Sequence, residues 1–106
     1  MITTNTEKVA GKRIVKHLGL VRGNTVRARH IGSDIGASLK SIIGGKIGGY
    51  VKAMTKAREE ASSEMLKEAK ELGADGVVNI RYATSQVMPS AAEILAYGTA
   101  VKLTDE

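Results

Sequence analysis

The sequence predicts a two-layer α+β domain in which one long helix crosses a small, mostly antiparallel sheet, in the order strand, helix, strand, strand. Three observations carry this. Val51, Met54, Ala57, Ala61, Met65, Ala69 and Leu72 recur at steps of three and four, which lines them along one face of a helix from Tyr50 to Leu72. Gly73 follows at once, where a left-handed cap ends a helix without a Cβ penalty. After Asp75-Gly76 the period drops to two, with Val78, Ile80 and Tyr82 on one side of a strand and Val77, Asn79, Arg81 and Ala83 on the other. At 106 residues, with one proline and no cysteine, the chain is a single domain, 1–106, with room for one modest core.

In chain order, Ile2 to Thr4 reads as a short lead strand and Asn5 to Gly11 as polar loop. Ile14 to Arg29 is the first long strand region, interrupted by Gly19 and Arg22-Gly23-Asn24. Its pattern predicts either a bulge-bent single strand or two strands joined by a turn at Gly23-Asn24. Ser33-Asp34 can cap a short helix that carries Ile35, Leu39, Ile42 and Ile43. The run Gly44-Gly45-Lys46-Ile47-Gly48-Gly49 is too rich in glycine for a regular element and reads as a hinge into the long helix. The helix stripe is narrow and alanine-rich, suited to close approach to a sheet. Ser85 to Ser90, with Pro89, reads as a connection. Ala92 to Leu103 then forms the last strand, with Leu95, Tyr97, Val101 and Leu103 on one face; Ala96, Gly98 and Ala100 leave the other nearly bare for a helix or a second subunit. Thr104-Asp105-Glu106 reads as a frayed tail.

Charge divides the chain. Up to Lys46 there are nine basic and two acidic residues, net +7; from Ile47 onward seven basic meet nine acidic, net −2. Lys8, Lys12, Arg13, Lys16, Arg22, Arg27 and Arg29 therefore offer an alternative reading, a nucleic-acid or acidic-partner binding module using the basic N-terminal half. Against nucleic acid stands the shortage of rings on which bases stack: Tyr50, Tyr82 and Tyr97 are the only aromatic residues. No apolar run approaches a membrane span and the N-terminus lacks the order of a signal peptide, so a cytoplasmic protein without a membrane partner is expected.

No catalytic constellation is assembled. The serines have no motif linking them to His17 or His30, and no paired carboxylates stand apart from the charged helix face, so the sequence points to a non-enzyme. The glycine run invites a phosphate-loop reading, yet it lacks a Gly-Lys-Ser/Thr ending and a preceding strand. A weaker form keeps Gly44, Gly45, Lys46, Gly49 and Tyr50 as candidate ligand-binding residues, with the amides of Gly49 and Tyr50 and the Lys46 ammonium holding a small anion. Arg58, beside the apolar stripe, is the sixth candidate. Its expected structural role is an ion pair with Asp75 or Glu93, and Asp75 itself reads as a turn residue.

Four motifs in order give the sequence a family likeness: Ile42-Ile43-Gly44-Gly45 followed by Tyr50; Ala57-Arg58-Glu59-Glu60-Ala61; Leu72-Gly73-Ala74-Asp75-Gly76-Val77-Val78; and Tyr97-Gly98-Thr99-Ala100-Val101. Together they resemble the YbjQ-like proteins across nearly the whole chain. The resemblance implies a subunit similar in outline to dodecin subunits that assembles into a ring, a homopentamer; the function expected on that basis is a non-enzymatic homo-oligomer that binds a small ligand or metal ion between subunits or serves as a scaffold. A thin alanine-faced core agrees with assembly. The family carries a provisional heavy-metal-binding label. Against a soft-metal site stands the absence of cysteine; the weak candidates for a metal are His17, His30 and Asp34, and a ring places several copies of either histidine around one axis. No cofactor is called for by the residues.

Overall fold

The structure, a computed structural model, describes residues 1–28, 47–88 and 91–106. It is the expected α+β domain: β1 (Ile2–Thr3), β2 (Lys12–Ala28), α1 (Ile47–Glu71), β3 (Gly76–Met88) and β4 (Ala91–Asp105). The strands form one mixed sheet in the order β1-β3-β4-β2. β4 is central and antiparallel to both neighbours, while β1 runs parallel to β3. The short helix expected after Ser33-Asp34 lies outside the described residues, as do Gly44, Gly45, Lys46, Pro89 and Ser90.

Small residues set the spacing between the layers. Ala57, Ala61, Met65 and Ala69 of α1 are buried against Val21 of β2, Val77 of β3 and Ile94, Ala96 and Ala100 of β4. The bare face of β4 is therefore filled by the helix. Val51 and Leu72, which close the stripe in the sequence, are about half exposed instead, and the fully buried part of the stripe runs from Ala57 to Ala69. Gly23 explains the close approach: a Cβ there would run into the backbone of Ala61 and Met65 and come within 2.7 Å of Glu64 Cβ. Gly23 and Asn24 form neither a turn nor a bulge. They lie inside one continuous strand, paired with Ala96 and Leu95, and the irregularities of β2 fall at Ile14/Lys16 and His17/Gly19.

The helix ends as its sequence dictates. Gly73 has φ 81°, and the amides of Gly73 and Ala74 donate to the carbonyls of Lys70 and Ala69 at 3.0 and 3.1 Å, a Schellman cap. Its start differs from expectation, since Ile47, Gly48 and Gly49 are already helical. The hinge reading thus fails at Gly48-Gly49: each glycine costs a helix about 1 kcal/mol against alanine, a cost that a 25-residue helix packed on a sheet absorbs. Two other boundaries move outward. Ser85 to Met88 belong to β3 rather than to a connection, paired with Glu93 through Ala91. Asp105 is not part of a frayed tail; it pairs with Lys12 in β2, and its carboxylate accepts from Lys12 Nζ at 2.6 Å.

Candidate functional site

The β3–β4 register shifts twice, near the end of β3 between Gln86 and Met88 and, in mid-strand, at Asn79. That residue has φ 55°, and the register slips by one between Val78↔Thr99 and Arg81↔Tyr97. Asparagine tolerates the left-handed region better than most side chains do. The slip decides which way β3 faces beyond it. Without it, Tyr82 would fall opposite Leu95 on the sheet face away from the helix; with it, Tyr82 pairs with Ala96 and faces α1. There its hydroxyl shares a 2.8 Å hydrogen bond with Ser62 Oγ.

The result is a cleft of about 410 Å³ between α1 and β3, lined by Thr55, Arg58, Glu59, Ser62, Ser63 and Tyr82. Arg58 does not pair with Asp75 or Glu93. Its Nη2 donates to Thr55 Oγ1 one turn back at 3.3 Å, because Arg58 sits on the flank of α1 that overlooks β3, whereas Glu93 hydrogen-bonds Asn24 on the β2 side. Sequence reasoning singled out Arg58 and missed Ser62 and Tyr82. Tyr82 had one available signal, that a chain with three aromatic residues places one in mid-strand, three residues after an asparagine.

Asp75 is structural. Its Oδ2 accepts the Leu103 amide at 2.9 Å and its Oδ1 accepts Lys102 Nζ at 3.3 Å, while Lys102 also donates to the Gly73 carbonyl at 3.0 Å. The Leu103 N–H, chiefly, and then Lys102 hold the Asp75 carboxyl below its ordinary pKa, partly offset by desolvation. Lys12 does the same for Asp105.

The remaining candidates do not converge. Gly49 and Tyr50 lie in the first turns of α1, and the rest of the proposed anion loop is outside the described residues. His17 is exposed on β2 opposite Val101; His30 and Asp34 are outside the described residues. Among the described residues no group of three or more histidine, cysteine, aspartate or glutamate side chains is placed to hold a metal ion. The donor set among the described residues of one chain therefore does not fit a heavy metal. A second, larger cleft of about 590 Å³ opens over the outer edge of β2, where Arg22 and Lys67 are interleaved with Glu64, Glu68, Glu71 and Glu93. Among the described residues no helix is long and apolar enough to cross a membrane.

Comparison with known proteins places this geometry. Residues 1–104 match the model of the YbjQ_1 family, described as "putative heavy-metal-binding". A UPF0145 protein of Dehalococcoides mccartyi is 56% identical over 101 residues, covering 95% of this chain and 97% of the relative. UPF0145 proteins of Halorubrum lacusprofundi and Archaeoglobus fulgidus are each 56% identical over 103 residues, covering 97% of this chain and 99% and 95% of those relatives. The fold is shared with a crystal structure from Pediococcus pentosaceus, a protein of unknown function assigned to the DUF74 family, at TM-score 0.70 and 20% identity over 98% of both chains.

Proposed function

The chain belongs to the YbjQ-like family, and on that premise we propose that it is a non-enzymatic, ring-forming homo-oligomer of the cytoplasm, a homopentamer, which binds a small ligand or metal ion where subunits meet. The observation that supports assembly is the pair of sheet edges that no further strand covers among the described residues. β2 is a terminal strand there, met on its outer side by a helix side chain at Arg22, whose amide donates to Glu68 Oε1 at 3.3 Å. At the opposite side, β1 pairs only with Gly76 and Val77, and the backbone hydrogen bonds of the lead segment to β3 end at Ile80, whose amide donates to the Thr4 carbonyl at 3.1 Å. Beyond that point the outer edge of β3 has no strand against it among the described residues.

These edges suit each other. β2 and β3 are both antiparallel to β4 and so run in the same direction. In a cyclic ring, β2 of one copy meets β3 of the next as a parallel pair, and closure removes both edges. The sheet face away from the helix adds apolar surface to cover, with Leu20 and Val26 more than half exposed. A metal ion in this reading is held between copies, where His17 recurs around the axis. The interleaving of Arg22 and Lys67 with helix glutamates favours a protein neighbour at the β2 edge over nucleic acid.

Native mass spectrometry tests the reading, with a single species of five chains expected for the wild type. Since Ile80 donates outward, alternation aims the next outward amides at Tyr82 and Thr84. Thr84→Pro removes one of them while sparing the ladder to β4, and should yield folded monomers. A monomeric wild type would overturn the ring.

A further inference from the structure

The cleft between α1 and β3 combines three features that a structural ion pair or a bare surface groove does not need. The first is a guanidinium with spare donors. Among the described residues Arg58 forms no ion pair, and of its five N–H groups one is engaged, by a long bond to Thr55 Oγ1 at 3.3 Å. The second is an aromatic platform held in place. Tyr82 leaves 52% of its surface exposed, yet its hydroxyl is tied to Ser62 at 2.8 Å, so the ring is both available and oriented. The third is a supply of hydroxyl donors on the same wall, from Thr55, Ser62 and Ser63.

We propose that this cleft binds a small aromatic anion, its charged head taken by Arg58 with the Thr55 and Ser62 hydroxyls and its ring laid on Tyr82. Arginine presents parallel N–H groups that match two oxygens of a phosphate or carboxylate, which an ammonium does not. A ring stacked on an oriented tyrosine gains contact area without a large ordering cost. Glu59 at the rim sets a limit on charge, disfavouring a multiply charged head and leaving a single phosphate or carboxylate as the best fit. All the lining residues come from one chain, so the site does not depend on ring formation; a monomer that binds would refute the ring alone.

The test is an amide-resolved NMR titration of the full chain with phenyl phosphate and, separately, inorganic phosphate. Phenyl phosphate should shift the signals of Arg58, Ser62 and Tyr82 and bind about tenfold more tightly than inorganic phosphate, the gain expected of one good ring contact. Arg58→Ala should weaken both by at least about tenfold, and Arg58→Gln, which keeps the stem, should do the same. Tyr82→Phe keeps the aryl preference and Tyr82→Ala abolishes it. Glu59→Gln tightens both anions. The proposal is overturned if Arg58→Ala binds as the wild type does, if the shifts map away from the cleft, or if phenyl phosphate causes none up to about 10 mM, a concentration that reports even millimolar affinity.

Discussion

The two halves of β3 share a strand and differ in everything else. Gly76, Val77 and Val78 are buried, whereas every residue from Arg81 to Gln86 is exposed, and Asn79 with its positive φ stands between them. The first half has β1 on one side, β4 on the other and the alanine-faced turns of α1 above it. The second half keeps β4 as its one strand neighbour among the described residues, and it meets α1 through the Tyr82 hydroxyl, which hydrogen-bonds Ser62. One half is core and the other is surface held in strand form by a single neighbour. An edge of that kind invites another strand, and natural sheets are usually built to prevent it.

The largest effect that tests this contrast belongs to Met65, a long side chain buried among alanines. Met65→Ala should cost about 2–5 kcal/mol, since alanine neighbours cannot collapse into the space. Thr84→Ala in the exposed half should stay within about 0.5 kcal/mol in the isolated subunit. Urea unfolding of both variants measures the difference. Equal costs would mean that the second half is supported by something other than β4.

Asn79 comes next, because it sets the facing of the exposed half. Asn79→Val places a β-branched side chain at φ 55° and should cost about 1–3 kcal/mol, while Asn79→Gly should cost less than about 1 kcal/mol. The valine variant should also release Tyr82 from Ser62, visible as a change in the tyrosine near-ultraviolet signal. If valine is tolerated with that signal intact, the bulge is not what orients Tyr82.

This bulge also marks where the sequence stops being legible. The long helix, its glycine cap, the order of elements along the chain and the bare face of β4 are all carried by local signals: a period of three to four, a glycine at the cap position, small residues two apart. The helix start was hidden because Gly48-Gly49 carry a loop signal that tertiary packing overrides. Gly23-Asn24 reads as a turn in isolation and is instead the position where α1 touches the sheet, a requirement written in Ala61 and Met65 far along the chain. The cleft was half legible: Arg58 stands out on its helix, but its partners depend on a one-residue slip in β3 that no period in the sequence announces.

The smallest effect concerns the buried half of β3, which Asp75 fastens to β4 at its entry. The ionised carboxylate accepts the Leu103 amide and the Lys102 ammonium more strongly than the protonated acid does, so folding lowers its pKa below the unfolded value of about 3.9. A group whose pKa falls on folding contributes fully above its unfolded pKa and loses that contribution as pH falls through the folded value. Stability should therefore be flat from neutral pH to about 4.5 and decline below about 4, the range in which the unfolded chain takes up the proton first. Asp75→Asn should lower the thermal midpoint at pH 7 and make the decline shallower, without removing it, because Asp105 titrates in the same window against Lys12. The double variant Asp75→Asn with Asp105→Asn should flatten it further. If the single variant declines as steeply as the wild type, the Leu103 amide bond is not what fastens the strand entry, and the burial of Gly76 to Val78 must rest on the ladders to β1 and β4 and on the packing of Val77 against α1.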